Sequence, residues 1–515
     1  MPEGEPRDPL DISVLPGSVV RRETPFFKEG LVSLPAFAHD YRLKLNEAVS
    51  ALGAPAVSSL FDIIKSESLA RGFTYQRTGG VIEAIHLMLV PSVFTNEQTA
   101  YLSRAADALH RGMEYISRAW GKDDRLQKIL PFEEEEGAWI RSVRKDPGSP
   151  DPLWYRLDAH LDMDAPGWRE RISIFEINAC AVGGIHYGPT AERLFLEVIV
   201  PFLKERLGVL PRVARGPDAR DLLHMLAARH ARAIGRPTLN FIFSEDTIAE
   251  EGITEGPYIV EYLKSIGVNA LIADPRELYI KRDGVWYRDT PVDIVYRNFE
   301  AREIIEMERE GDDTKGIRLA FERNQVISSL TGDFDHKAMW EVLASGEFDA
   351  YFNPTDAAIF KKHLPWTRVV AERKTLGPDG READLVRLLR SARESLVLKP
   401  DRLCGGYGVA IGKNMAPSEW DRTIDEALRG DWVVQEYSLP ETAKFPVLEN
   451  GVLSFEDHNI VYGLSATPDG TGVLGRVSRE GVVNVAQQGG LMPVLRLVDD
   501  GLKAKGPAVG AGARA

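Results

Sequence analysis

The sequence predicts an α/β and mixed α+β architecture behind an α-rich amino-terminal region, and three observations predict it. Apolar residues recur at three- and four-residue intervals over 41–120, apolar strands alternate with helical stretches over 236–300, and strand-like segments return after 332. The 515 residues are enough for two to four domains, and 44% hydrophobic with 27% charged residues is ordinary for a globular chain.

Taken in order, residues 1–20 are polar and rich in Pro and Gly and read as a loosely held arm. They open an α-rich region over 1–130, in which NEQTAYLSRAADALHRGMEYISRAW forms a helix behind an Asn96 cap. The acidic run Glu133–Glu136 reads as a solvated face. Over 131–235, WYRLDAHLDMD and RISIFEINA alternate as two strands joined by a turn at Asp164–Gly167, and helices follow over Pro189–Leu207 and Pro217–Ile234.

The stretch 236–330 has the rhythm of a small parallel α/β unit, with strands in TLNFIFSED, VNALIADP and VDIVYRNFE. It has no G-x-G-x-x-G, so it is not read as a dinucleotide domain. Over 331–498 the expectation is a strand LVLKP, a Gly loop, a helix from Pro417 to Leu428, a strand WVVQEYS and antiparallel segments to Leu497. The Gly/Ala-rich tail 499–515 is expected to be disordered.

Composition excludes some partners. With 63 basic against 77 acidic residues the formal charge is −14, which argues against a broad basic face for nucleic acid. No segment approaches about 18 uninterrupted apolar residues, and the start lacks a basic and an apolar signal region, so no membrane partner and a cytoplasmic location are expected. Cys180 and Cys404 make neither a disulfide framework nor a zinc pattern, and they read as small semi-buried fillers.

Four segments carry chemistry. In SLVLKPDRLCGGYGVAIG a strand delivers Lys399 into a turn with Gly405, Gly406 and Gly408, where backbone N–H groups can close over phosphate oxygens and the lysine offers a point charge. A tight hairpin is the plainer reading of the glycines. WVVQEYS ends with Gln435 and Glu436, as a hinge receiving adenine and ribose would. In GRVSREGVVNVAQQGG, Arg476 suits charge developing on a transferred phosphoryl group and Asn484 can bind a metal or phosphate oxygen.

Far upstream, Arg156 and Asp158 share one face of a strand by the period-two rule, as do Glu176 and Asn178 on the next. If those strands pair, two carboxylates and an amide converge. That all-oxygen set suits Mg²⁺ bound together with phosphates.

Together these segments resemble the ATP-grasp superfamily in rearranged order, as in a circularly permuted protein of the group that includes glutathionylspermidine synthetase-like proteins. The usual order runs from the lysine strand to the R-x-D and E-x-N strands. Here Arg156, Asp158, Glu176 and Asn178 come first, and Lys399, the Gly405–Gly408 loop, Glu436, Arg476 and Asn484 come last. The break falls after Gln488–Gly490, where a cut need not disturb strand pairing.

The resemblance implies a permuted ATP-grasp fold with a preATP-grasp-like unit over 236–330, and ATP with one or two Mg²⁺ ions, Mn²⁺ being able to substitute. It also implies a second phosphate lysine, for which Lys362 is preferred over Lys361 and Lys337. It makes Arg297 a candidate for holding a substrate carboxylate, although an Arg satisfied by its own neighbours fits as well, and the segment GGIHYGP after the metal motif puts His186 and Tyr187 near the reaction centre, facing the substrate or serving the structure. The activity implied is amide formation between a small-molecule carboxylate and an amine through an acyl phosphate. Loading of a carrier-protein thiol, a kinase that stops at phosphoryl transfer, and a non-catalytic nucleotide-binding regulator remain open beside it.

Overall fold

A long helix, Asn96–Trp120, runs beside a sheet assembled from both ends of the chain. The computed structural model describes residues 35–143, 149–207, 213–247, 252–403, 405–481, 483 and 489–498. The expectations for residues 1–20, Cys404, Asn484 and the 499–515 tail lie outside the described residues.

The helix cap is Thr95 rather than Asn96. The Thr95 hydroxyl accepts the Gln98 N–H and the Gln98 side chain accepts the Thr95 N–H, a reciprocal capping box that a one-residue shift would lose. Ahead of it, helices Pro35–Leu52 and Ala54–Ala70 meet at Gly53, and short strands Thr74–Arg77, Val81–Ala84 and Ser92–Phe94 interrupt the expected helical texture. Leu45, Leu60 and Leu102 from this region share one apolar core with Tyr155, Ile177 and Leu464 of the sheet. The helices are therefore held by burial against the sheet rather than by their own propensity.

The sheet has the order Gly490–Met492, Gly470–Ser478, Val452–Thr467, Tyr155–His160, Ser173–Asn178, and Glu441–Glu449 pairs the free stretch of Val452–Thr467. The expected hairpin forms, with Arg156 opposite Asn178 and Asp158 opposite Glu176, and the register shifts just beyond Asp158. On the other side of Tyr155–His160 the neighbour comes from the far end of the chain, with Gly463 opposite Asp158.

A second, smaller antiparallel sheet has the order Thr367–Val369, Trp432–Glu436, Leu396–Pro400, Ala410–Ile411. Leu389, Leu398, Trp420, Ile424 and Val434 fill the core between it and its helices. The expected α/β unit is also present, as four parallel strands ordered Val326–Ile327, Ile294–Asn298, Asn240–Glu245, Asn269–Ala273. Of the two expected helices, Ala219–Ala233 is regular behind an Asp218 cap, while the first is Tyr187–Leu194 and Val200–Leu207 joined through a wider turn over Phe195–Ile199.

The acidic run is not a solvated face throughout. Glu136 is 1% exposed and accepts from both Nη nitrogens of Arg402 at 2.7 Å, while Glu133 and Glu135 pair with Arg309 at the surface. A buried carboxylate needs such a partner, and the partner lies 266 residues away in sequence. Among the described residues no single helix is long and apolar enough to cross a membrane.

Candidate functional site

Side chains from both sheets line one cleft of about 1060 Å³. From the larger sheet come Arg156, Asp158, Glu176, Asn178 and Arg476, and from the smaller Lys399, Gly405, Gly406, Gln435 and Glu436. Residues from the two ends of the chain thus face the same space.

On the larger sheet Asp158 is the hub. Its carboxylate accepts Arg156 Nε at 2.8 Å and Nη2 at 3.2 Å, Asn178 Nδ2 at 3.3 Å, and pairs with Arg476 Nη2 at 2.8 Å. Arg476 reaches it across the intervening Val452–Thr467 strand, where the residue beside Asp158 is Gly463. A Cβ at Gly463 would lie 2.8 Å from the Arg156 Cδ, so the glycine leaves the space in which the guanidinium folds back. Burial raises the Asp158 carboxyl, but the two arginines outweigh it and hold the group well below the usual carboxylate range. Asp158 is therefore an anion at any working pH.

Glu176 is more open. It pairs with Lys337 Nζ at 3.1 Å, and Lys337 also donates to the Leu403 carbonyl at 2.7 Å. Burial lowers the Lys337 ammonium, and Glu176 together with Asp401 and Asp335 more than restores it, leaving it raised and charged. Among the described residues no three His, Cys, Asp or Glu side chains gather to hold a metal alone. The oxygen donors available are Asp158, Glu176 and the Asn178 carbonyl, a set that fits Mg²⁺ sharing its remaining positions with phosphate oxygens and water.

On the smaller sheet Lys399 is 7% exposed and donates to Gln435 Oε1 at 2.7 Å, with its ammonium 4.9 Å from the Phe175 ring centre. Gln435 is itself fixed, its Nε2 donating to Thr367 Oγ1 at 3.0 Å and to the Phe175 carbonyl at 3.3 Å. Gln435 thus orients Lys399 rather than offering a free side chain. Burial lowers the Lys399 ammonium to about 8, with Glu176 opposing the shift and Lys337 adding to it. Gly405, Gly406 and Gly408 all have positive φ, but only the first two line the cleft; a Cβ at Gly408 would lie 2.7 Å from Pro400 Cγ, so this glycine serves packing.

Other expected residues are placed elsewhere. Lys362 sits on the outer face of the Pro354–His363 helix, paired with Glu170 at 2.7 Å, and Lys361 pairs with Asp349. Of the three candidate lysines the cleft receives Lys337, because its segment is tied to the end of the Lys399 strand: Asp401 accepts the Ala338 N–H at 2.7 Å and His336 Nδ1 at 2.7 Å. Arg297 is 1% exposed, and both its Nη atoms bind Asp333, at 3.1 and 2.7 Å. It is closed to a substrate carboxylate. His186 is buried against the Arg71 carbonyl, whereas Tyr187 reaches the cleft wall with its hydroxyl held by Thr74 and Thr254. Cys180 is buried, and its thiol is pushed up by burial.

Sequence reasoning missed His160. It lines the cleft, its Nδ1 lies 2.7 Å from Ser438 Oγ, and burial aided by Lys399 pushes it down to about 3, so it is neutral. The signal was available: His160 continues the 156, 158 alternation along its strand.

No protein-family model and no curated protein sequence matches the chain. Among solved structures, a glutathione synthetase-like effector from Globodera pallida aligns over 88% of this chain and 97% of its own, with TM-score 0.55 at 12% identity. The chain therefore shares the fold of that effector. Partial overlaps are also found with D-alanyl-alanine synthetase A from Vibrio cholerae (43% of this chain and 66% of that one, TM-score 0.23, 10% identity) and with the ATP-grasp ligase PsnB (49% and 88%, TM-score 0.24, 11% identity). At those scores neither overlap adds to the fold assignment.

Proposed function

We propose that this chain is a cytoplasmic ATP- and Mg²⁺-dependent carboxylate–amine ligase whose ATP-grasp elements run in circularly permuted order. The observation that carries the proposal is the convergence of two carboxylates, Asp158 and Glu176, with Lys337, Lys399 and Arg476 on one cleft. An anionic polyphosphate with its metal is the ligand class that uses both charge sets at once.

In this reading Lys337 and Lys399 neutralise the phosphates, Gly405 and Gly406 close over them, and Glu436 at the strand end receives the nucleoside. Mg²⁺ held by Asp158, Glu176 and Asn178 would withdraw charge from the β- and γ-phosphate oxygens. The substrate carboxylate oxygen attacks the γ-phosphorus and ADP leaves, giving an acyl phosphate. The amine nitrogen then attacks the acyl carbon, inorganic phosphate leaves and the nitrogen loses a proton. In this reading Arg156 and Arg476 stabilise the transferring phosphoryl group, and the acyl phosphate must be kept from water until the amine attacks.

The test is ADP formation from Mg²⁺-ATP across a panel of amino acids, small peptides and polyamines, each acid assayed with and without an amine. Sustained turnover should need both an acid and an acceptor, and Glu176→Gln should remove it. Equal ADP formation without any acceptor would instead identify a kinase, and nucleotide binding without turnover on any pair would identify a binding protein.

A further inference from the structure

We infer that Glu255 is a positioning residue for Arg156, acting through the backbone of the loop Gly183–Tyr187; the catalytic consequence rests on the ligase reading. Glu255 comes from the α/β unit, just before the Gly256–Ser265 helix, and is 1% exposed. Its Oε2 accepts the Gly184 N–H at 2.7 Å, and its Oε1 accepts the N–H groups of His186 and Tyr187 at 2.7 and 2.8 Å. Three backbone donors converging on one carboxylate fix the path of that loop.

The carbonyl immediately before them belongs to Gly183, and it accepts Arg156 Nη1 at 2.8 Å. Arg156 spends Nε and Nη2 on Asp158. Each guanidinium nitrogen therefore has a protein partner, two supplied by its own strand and one by the loop that Glu255 holds. The Asp158 contacts hold the Nε and Nη2 edge of the guanidinium, and the Gly183 carbonyl holds the remaining nitrogen, Nη1, on the loop side. A carboxamide at 255 cannot reproduce this, because its NH₂ would face N–H groups where an oxygen now accepts them.

Glu255 also attracts the Arg156 guanidinium through space, but it makes no hydrogen bond to it, and its effect on chemistry follows from position. Glu255 is separated from the cleft by the loop it holds, whereas Gly183, Gly184 and Arg156 line it. Loosening the loop displaces a group that must meet a transferring phosphoryl, and displacements near 1 Å can cost about 10²-fold in rate. Nucleotide affinity depends on Lys399, Lys337 and the Gly loop, which Glu255 does not touch.

The experiment is a double-mutant cycle with Glu255→Gln and Arg156→Lys. Glu255→Gln should lower kcat for ADP formation by about tenfold or more while leaving KM for ATP within about twofold, and should cost less than about twofold further when added to Arg156→Lys. Glu255→Asp, which keeps the charge but shortens the reach, should fall between wild type and Gln, and it carries the test if the Gln variant does not fold. Unchanged kcat, or equal losses in both backgrounds, would overturn the inference. The rate at which phenylglyoxal modifies Arg156, located by peptide mapping, decides the positioning claim separately. It should rise several-fold in either Glu255 variant, and an unchanged rate rejects the claim even if wild type makes no ADP, which would count against the ligase reading alone.

Discussion

On the larger sheet Asp158 is closed by Arg156, Arg476 and Asn178 of the same sheet, and Glu176 is paired by Lys337 from the segment tied to the Lys399 strand. On the smaller sheet Lys399 makes no ion pair among the described residues and rests on the neutral Gln435 and the Phe175 ring. The first wall is a self-neutralised network whose geometry survives without ligand. The second holds a buried cation that Gln435, Phe175 and the more distant Glu176 and Asp158 compensate only in part. Under the proposed function, rigidity and nucleotide affinity reside in different sheets, and substitutions on each should separate them.

The largest effect is expected at the hub. Asp158→Asn leaves two guanidinium groups buried without their counterion, so it should cost about 3–5 kcal/mol of stability in denaturant unfolding as well as turnover. A loss of turnover with unchanged stability would show that the network is not what holds this wall. On the facing sheet Lys399→Met should do the reverse. It should weaken ATP binding by about tenfold, read by calorimetric titration, while stability stays within about 1 kcal/mol or rises, because an unpaired buried ammonium is removed.

The same asymmetry should appear with pH. The Lys399 ammonium sits at about 8 in the fold, below an unfolded lysine near about 10.4, so the fold disfavours its charged form. Stability should therefore gain as pH rises from 8 towards that unfolded value, while ATP affinity falls over the same window as the positive charge is lost. Lys399→Arg should flatten the affinity profile, since a guanidinium stays charged. A wild-type profile that is flat to pH 10 would remove Lys399 from phosphate binding. The smallest effect belongs to Lys362→Ala, which breaks an exposed pair with Glu170 and should change stability by less than about 0.5 kcal/mol and leave ATP affinity unaltered.

Much of the fold was legible because its elements are local. The alternation in YRLDAH and SIFEIN places Arg156 with Asp158, and Glu176 with Asn178, on single faces, and the hairpin between them follows from the turn. The parallel unit over 236–330 and the Pro417–Ala427 helix were readable for the same reason. The strands Thr74–Arg77 and Val81–Ala84 were not, since they are short and the first of them also pairs with Gly252–Ile253 in a distant part of the chain.

By itself the sequence determined which candidate groups share a strand face, because side-chain direction along a strand repeats every two residues. Only the tertiary structure decided which groups meet across the chain. It brought Lys337 rather than Lys362 to the cleft through Asp401, closed Arg297 against Asp333, buried Glu136 on Arg402 and set Arg476 against Asp158. Each of those outcomes is a pairing of charges far apart in sequence, fixed by the cost of burying a charge without its partner, and local periodicity does not encode it.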